Sequence, residues 1–76
     1  MSQIDMKATG TRIKTLAQKN GIKVSDIQKK CGFGTPQTVY KWFRGDTLPS
    51  LDNLVLISEL FEVGLDDIVV YSKESG

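Results

Sequence analysis

Two polar residues in the middle of the chain, Gln37 and Lys41, stand four positions apart. On a helix, residues at this spacing lie on the same face. A glutamine amide can make two hydrogen bonds to the edge of an adenine, and a lysine ammonium can donate to a guanine edge or to a phosphate. The alternative is that both side chains are simply solvated on a helix surface. Which of these two interpretations holds depends on the secondary-structure elements that position the two side chains.

Residues close to this pair extend the same candidate chemistry. Thr38 is a further candidate for a base contact, and so is Tyr40, whose ring could meet a thymine methyl group or whose hydroxyl could meet a phosphate. Tyr40 could equally pack against the preceding helix. The candidates for phosphate contacts, which give affinity without sequence information, are Lys23, Thr35, Arg44 and Asn53.

The spacing of apolar residues predicts five short helices and no strand pairing. The helices cover about residues 9–20, 24–31, 36–43, 51–61 and 65–69. Glycines at positions 21 and 32 end the first two, because glycine readily takes the left-handed conformation that follows a helix. The run 69–71 has strand propensity, but no other segment offers it a partner. The predicted fold is therefore all-α.

Three residues stand at the predicted helix starts. Thr35 is predicted to cap the third helix, with Pro36 at its first position, and Ser50 to cap the fourth. Lys23 stands at the start of the second helix and cannot accept a capping hydrogen bond. That start is therefore poorly capped unless Ser25 takes over.

At 76 residues and 8.4 kDa, the chain has room for one domain with one core. We assign the domain to residues 9–69, with a flexible N-terminal arm at 1–8 and a tail at 70–76. Val39 and Trp42 are predicted to face inward on the third helix. Cys31 is interpreted as a small buried hydrophobe instead of a redox sensor.

The composition excludes several classes of site. With one cysteine and no histidine, the chain cannot form an internal disulfide, a zinc site of the Cys/His kind or a catalytic triad. No other catalytic pattern stands out, so we predict no enzyme activity, no catalytic residues, no metal and no cofactor. No pattern points to a small-molecule ligand. The chain also has no apolar run near the roughly 18 residues of a membrane span and no signal peptide, which predicts a cytoplasmic protein.

Charge is divided unevenly along the chain, although the total is only +1. Residues 7–44 carry nine basic residues and one acidic residue, a net charge of +8. Residues 45–76 carry seven acidic residues and one basic residue, a net charge of −6. Such asymmetry is typical of a protein that binds a polyanion, because steering depends on the local field. The alternative is that the lysines only solubilise helix surfaces.

The second and third predicted helices, joined by a short turn, have the geometry of a helix-turn-helix, whose second helix enters the major groove. Several segments, in this order and spacing, resemble the Cro/CI-type (XRE) repressor helix-turn-helix family: R-I-K-T-L-A at 12–17, T-P-Q-T-V-Y-K-W at 35–42, R-G at 44–45, L-P-S-L-D-N-L at 48–54 and V-G-L-D-D-I at 63–68. The resemblance covers about residues 9–69 and implies a compact five-helix repressor-like domain.

The chain departs from the family pattern at three places. Gly34 is an extra residue in the turn, which either changes the crossing of the two helices or bulges outward. Lys23 stands where the family usually has a capping serine or threonine. Ala17 and Phe43 stand where it commonly has an arginine and a glutamate. The resemblance therefore implies an apolar contact in place of a partly buried ion pair.

The resemblance implies sequence-specific binding of double-stranded DNA, with residues 36–43 as the recognition helix. It further implies a transcriptional regulator, more often a repressor than an activator. The alternative is a helical protein-interaction module or an antitoxin that uses the same fold. The coincidence of the basic segment with the helix-turn-helix favours DNA.

A second copy of the chain is the other predicted partner. One helix-turn-helix reads only a few base pairs, and a dimer places two recognition helices one DNA turn apart on a palindromic operator. The predicted interface uses apolar residues of the acidic half: Leu56, Leu60, Val69, Val70 and Tyr71. The alternative is that these residues pack the arm or the tail. The predicted dimer is weak without DNA.

Overall fold

A computed structural model of the protein describes residues 3–72 as a bundle of helices closed by a short strand pair. In chain order the elements are β1 (Gln3–Ile4), α1 (Met6–Lys19), α2 (Val24–Cys31), α3 (Gln37–Arg44), α4 (Leu51–Phe61), a 3₁₀ turn (Leu65–Asp67) and β2 (Tyr71–Ser72). The predicted helical fold is confirmed. The count differs, because the last predicted helix is only a 3₁₀ turn and two strands are present.

The first helix begins three residues earlier than the sequence predicts, at Met6. Asp5 caps it, because its carboxylate accepts a hydrogen bond from the Ala8 backbone N–H at 2.9 Å. The predicted start at residue 9 was wrong for this reason. The bounds of α2 and α4 agree with the prediction, and α3 lies one residue later at each end.

The two strands pair antiparallel and join the two ends of the described chain. Ile4 stands opposite Tyr71, and Gln3 opposite Ser72. The adjoining Asp5 N–H donates to the Val70 carbonyl at 2.8 Å. The prediction that the segment 69–71 has no strand partner was therefore wrong. Residues 3–8 form a strand and the start of a helix where the sequence predicted an arm.

Thr9 fastens this C-terminal segment to α1. Its side chain is 1% exposed, and its hydroxyl accepts from the Val70 N–H at 2.9 Å and donates to the Val70 carbonyl at 3.3 Å. Both polar backbone groups of Val70 thus have partners on α1 or next to it. Because an unpaired buried N–H is costly, the hydroxyl stabilises the placement of β2.

We expect Thr9→Val to lower the free energy of unfolding by about 1–3 kcal/mol. The shape of the side chain is kept, but the Val70 N–H loses its acceptor. Chemical denaturation of the parent and the variant measures the difference. Thr11→Val, the same change at an exposed position of α1, is the matched control and should cost less than about 0.5 kcal/mol. Equal effects of the two substitutions would contradict this role of Thr9.

The core lies where all four helices and the 3₁₀ turn meet. Its buried apolar residues are Ile13, Ala17, Ile27, Val39, Trp42, Ile57, Phe61 and Ile68. The indole ring of Trp42 meets the Phe33 ring edge-on, with 5.6 Å between the ring centroids. Val39 and Trp42 face inward, as the sequence predicts.

Cys31 is half-buried and packs against the core. Burial raises the pKa of its thiol above the usual range, while the charge of Lys30 acts in the opposite direction. A raised pKa leaves less of the reactive thiolate at neutral pH. Cys31 therefore has the surroundings of a small apolar residue.

Candidate nucleic-acid interface

The turn between α2 and α3 runs through residues 32–36. Gly32 ends α2 with a φ of +73°, in the left-handed region that glycine enters without a steric cost. Gly34, the extra residue, is exposed, and a β-carbon built on it would meet nothing within 4 Å. The insertion is thus accommodated at the surface of the turn.

The start of α3 differs from the prediction. Pro36 is the capping residue, with φ −81° and ψ −2°, and its carbonyl accepts the first helical hydrogen bond, from the Tyr40 N–H at 3.2 Å. No side chain caps this start, so the prediction that Thr35 caps it was wrong. Pro36 already has a helical backbone and moves the boundary one residue along the chain. Thr35 is exposed beside the first turn of α3.

Gln37 and Lys41 both lie exposed on α3, one turn apart. Thr38 is half-buried next to them. Tyr40 is 42% exposed, and its ring packs edge-on against Phe43, with 6.3 Å between the centroids. Tyr40 therefore has one side against its own helix and one side open to solvent.

The candidate phosphate contacts lie at the ends of three helices. Lys23 is the exposed residue that precedes α2, and Asn53 lies half-buried in the first turn of α4. Ser50 caps α4 as predicted, accepting from the Asn53 N–H at 3.3 Å. Arg44 ends α3 and is exposed.

Two aspartates that the sequence did not single out accept hydrogen bonds from two of these candidate residues. Asp46 accepts a hydrogen bond from the Arg44 Nε at 2.9 Å. A phosphate would compete with this carboxylate for the guanidinium. Asp26 accepts from the Lys23 N–H at 2.8 Å, which is one half of a capping box, while no side chain accepts from the first N–H groups of α2. Asp26 stands three residues after the capping position Lys23, and that spacing is the signal that could have revealed it.

Ala17 of α1 and Phe43 of α3 line the same surface cleft, whose volume is about 320 Å³. Ala17 is buried and Phe43 is half-buried against the core. The described part of α1 and α3 thus brings together the two positions at which the sequence departs from the family pattern.

Within residues 3–72 no group of three or more potential metal-ligating side chains is present. No helix in the same part of the chain is long and apolar enough to cross a membrane.

The sequence of the chain matches the model of a known family. The sequence model of the helix-turn-helix family HTH_3 covers residues 13–68 of the chain. The chain belongs to this helix-turn-helix family. The resemblance to XRE-type DNA-binding regulators is thereby confirmed, and proteins of this family type are generally not enzymes.

A solved structure shows the same fold. The crystal structure of the DNA-binding domain of BldD aligns with a TM-score of 0.69 at 15% sequence identity. The alignment covers 86% of this chain and 93% of that one. No curated protein matches the chain. In the helix-turn-helix described here, α2 is the first helix and α3 is the second.

Proposed function

We propose that the chain is a transcription regulator that binds a specific double-stranded DNA sequence with α3 in the major groove. The observation that carries this proposal is the exposed face of α3, where Gln37 and Lys41 stand one turn apart on the second helix of the helix-turn-helix. This face belongs to the segment of net charge +8. An amide and an ammonium group are suited to adenine and guanine edges, and the positive field favours approach to DNA.

The residues around this face have separate roles in the proposal. Thr38 and Tyr40 add contacts to the bases, Tyr40 with the side of its ring that Phe43 leaves open. The contacts to phosphates come from the turn and from the starts or ends of helices: Lys23, Thr35, Arg44 and Asn53. Because Asp46 holds Arg44 in the free protein, DNA binding replaces one charged partner of Arg44 by another.

Repression is the mode that we propose over activation. A domain that occupies its operator excludes other proteins from the same DNA and needs no second surface to do so. Activation requires a further contact with the transcription machinery. The proposed activity is binding alone, without a catalysed reaction, in the cytoplasm.

The experiment that tests the proposal is selection of bound sequences from a random pool of duplex DNA, with a salt titration of the selected site. We expect an enriched sequence and an affinity that falls linearly with salt on a logarithmic scale. Failure to retain any duplex at low salt would contradict the proposal and favour a protein-interaction module or an antitoxin.

Gln37→Ala should lower discrimination at one base position of the selected site by about 1–3 kcal/mol. Binding to random duplex should change little, because the amide contributes no charge. Affinities of the parent and the variant for the selected site and for single-base variants measure this effect. Gln3→Ala, the same change on β1, is the matched control and should leave discrimination unchanged. Equal losses on specific and random DNA would remove Gln37 from the base contacts.

We propose a two-fold dimer on a palindromic operator, with the basic helices on DNA and the acidic half between subunits. Of the five residues predicted for this interface, Leu60 packs partly against its own core, and Val70 is half-buried with its backbone bonded to Thr9. Leu56 and Val69 are half-buried, and Tyr71 is 49% exposed. Tyr71 is therefore the predicted residue best placed to contact a second copy.

Tyr71→Glu should shift the monomer–dimer equilibrium towards monomer and lower operator affinity in parallel. Because the side chain is half exposed, the substitution should leave the fold intact. Sedimentation with and without the selected duplex measures the equilibrium. Leu65→Glu, an apolar residue of similar exposure in the 3₁₀ turn, is the control. A selected site without two-fold symmetry would contradict the dimer, whatever the variants do.

A further inference from the structure

The cleft between α1 and α3 has an apolar floor. It is formed by Ala17 of α1, by Ile22 and Val24 around the start of α2, and by Phe43 of α3. Its volume of about 320 Å³ falls at the small end of the range of ligand-binding clefts. Ala17 ends at its β-carbon, so no longer side chain from α1 fills this part of the groove. The floor and the volume suit an apolar body of one or two rings.

The rim of the cleft carries positive charge. Lys14 of α1 and Arg44 of α3 line it, together with the amide of Gln18. No carboxylate side chain is among the lining residues, but the Arg44 Nε donates to Asp46 at 2.9 Å, so a bound carboxylate uses the other N–H groups of the guanidinium or displaces Asp46. Tyr40 adds an aromatic wall, because its ring stands edge-on to that of Phe43. Apolar floor, aromatic wall and cationic rim together are complementary to a molecule that is apolar at one end and anionic at the other.

We propose that this cleft binds a small aromatic carboxylate, with its ring against Ala17, Val24 and Phe43 and its carboxylate at Lys14 and Arg44. The exposed part of Lys14 can follow the anion without cost to the core. The ring excludes water from the apolar floor, and both cations lie on the solvent side, where the carboxylate keeps part of its hydration.

Occupancy of the cleft opposes DNA binding. Tyr40 and Arg44 belong both to the cleft and to the proposed DNA contacts, so a bound carboxylate occupies Arg44 and restrains Tyr40. The coupling is reciprocal, because a ligand that weakens DNA binding must itself be weakened by DNA to the same extent. This second step rests on the proposed function, whereas binding of the carboxylate does not.

The test of the site uses the full chain, labelled with ¹⁵N, and 2-naphthoate as the probe, without DNA. We expect saturable shifts of backbone amide signals around Ala17, Val24 and Phe43. The neutral 2-naphthamide should bind at least about tenfold more weakly, since it lacks the charge that the rim attracts. Unsaturated shifts spread over the surface lysines, or equal binding of the acid and the amide, would overturn the proposal.

Two variants test the rim and the floor of the cleft separately. Lys14→Gln should weaken 2-naphthoate about tenfold, while Lys19→Gln, an exposed lysine outside the cleft, should have no effect. Ala17→Leu fills the floor and should abolish saturable binding. If Ala17→Leu impairs folding, Lys14→Gln still tests the ligand site, because Lys14 is exposed and its substitution should leave the fold intact. Unchanged binding by Lys14→Gln would overturn the assignment of the rim.

The DNA step is measured by fluorescence anisotropy of a labelled duplex at matched ionic strength, with and without 2-naphthoate. We expect the apparent dissociation constant for DNA to rise severalfold at saturating 2-naphthoate in the parent and to stay unchanged in Lys14→Gln at the same concentration. If 2-naphthoate binds but no DNA binds, the proposed ligand site stands and the proposed function is rejected. If DNA binds but 2-naphthoate does not, the proposed function stands and the proposed ligand site is rejected. Binding of both without competition would overturn the coupling.

Discussion

Gly10→Ala should lower the free energy of unfolding by about 3 kcal/mol, although it adds only one methyl group. A β-carbon on Gly10 would overlap the backbone carbonyl oxygen of Trp42 and lie 3.0 Å from that of Phe43. Backbone oxygens cannot rotate away as a flexible side chain can, so α1 and α3 would have to separate. Helix propensity predicts the opposite sign, because alanine is favoured over glycine by about 1 kcal/mol. The steric cost is larger and decides the outcome.

Chemical denaturation of Gly10→Ala against the parent measures this cost. Gly34→Ala is the matched control, because a β-carbon at Gly34 meets nothing within 4 Å and should change stability by less than about 0.5 kcal/mol. DNA affinity should fall with Gly10→Ala even in the folded fraction, since α1 supports the helix that carries the proposed contacts. A variant as stable as the parent would mean that α1 and α3 do not cross at this glycine.

Lys41→Glu should lower affinity for the selected DNA site by roughly 100-fold, which corresponds to about 2.7 kcal/mol. The substitution removes a donor that contributes about 1–3 kcal/mol when it reaches a base edge. It also places a negative charge on the face of α3 that meets DNA. Fluorescence anisotropy with the selected duplex at fixed salt measures the change, and circular dichroism checks that the exposed substitution leaves the helices intact.

Lys30→Glu is the matched control for Lys41→Glu, because it changes the net charge by the same amount. Lys30 lies in the last turn of α2, with its Nζ 3.7 Å from a carboxylate oxygen of Glu59 on α4. The proposed DNA contacts lie at the opposite ends of α2 and α4, at Lys23 and Asn53. Lys30→Glu should therefore change affinity by no more than a fewfold. Equal losses would mean that net charge, and not the placement of Lys41, controls binding.

Local sequence patterns were sufficient to predict the helices that carry the candidate interface, to within one residue at each end. Ser50 caps α4 and Gly32 ends α2 as predicted, because both effects depend on neighbours within one turn. At the start of α2 the Lys23 N–H donates to the Asp26 carboxylate, a local contact that the sequence did not single out. Thr35 failed as a cap because the backbone of Pro36 is already helical. Such errors move a boundary by one residue and leave the exposed face of α3 unchanged.

The same local sequence patterns did not predict contacts between residues that lie far apart in the chain. The pairing of Ile4 with Tyr71 joins residues at opposite ends of the described chain, and each strand is too short to show a period. Thr9 looks like an ordinary polar residue in the sequence, yet it is buried because Val70 supplies both of its hydrogen-bond partners. The backbone of Val70, a residue of the predicted dimer interface, is bonded to Asp5 and Thr9 within the chain.

The helical fold, the family and the polar face of α3 could all be predicted from the amino-acid sequence. These follow from the period of apolar residues, from capping within single turns and from the order of the motifs, all of which are local. Three features became visible only in the folded chain: Gly10 must lack a side chain, Asp46 bonds Arg44, and an apolar cleft opens between Ala17 and Phe43. The reason is that each of these depends on the distance between atoms of different elements, or on side-chain rotamers, and neither has a signature in the spacing of residues.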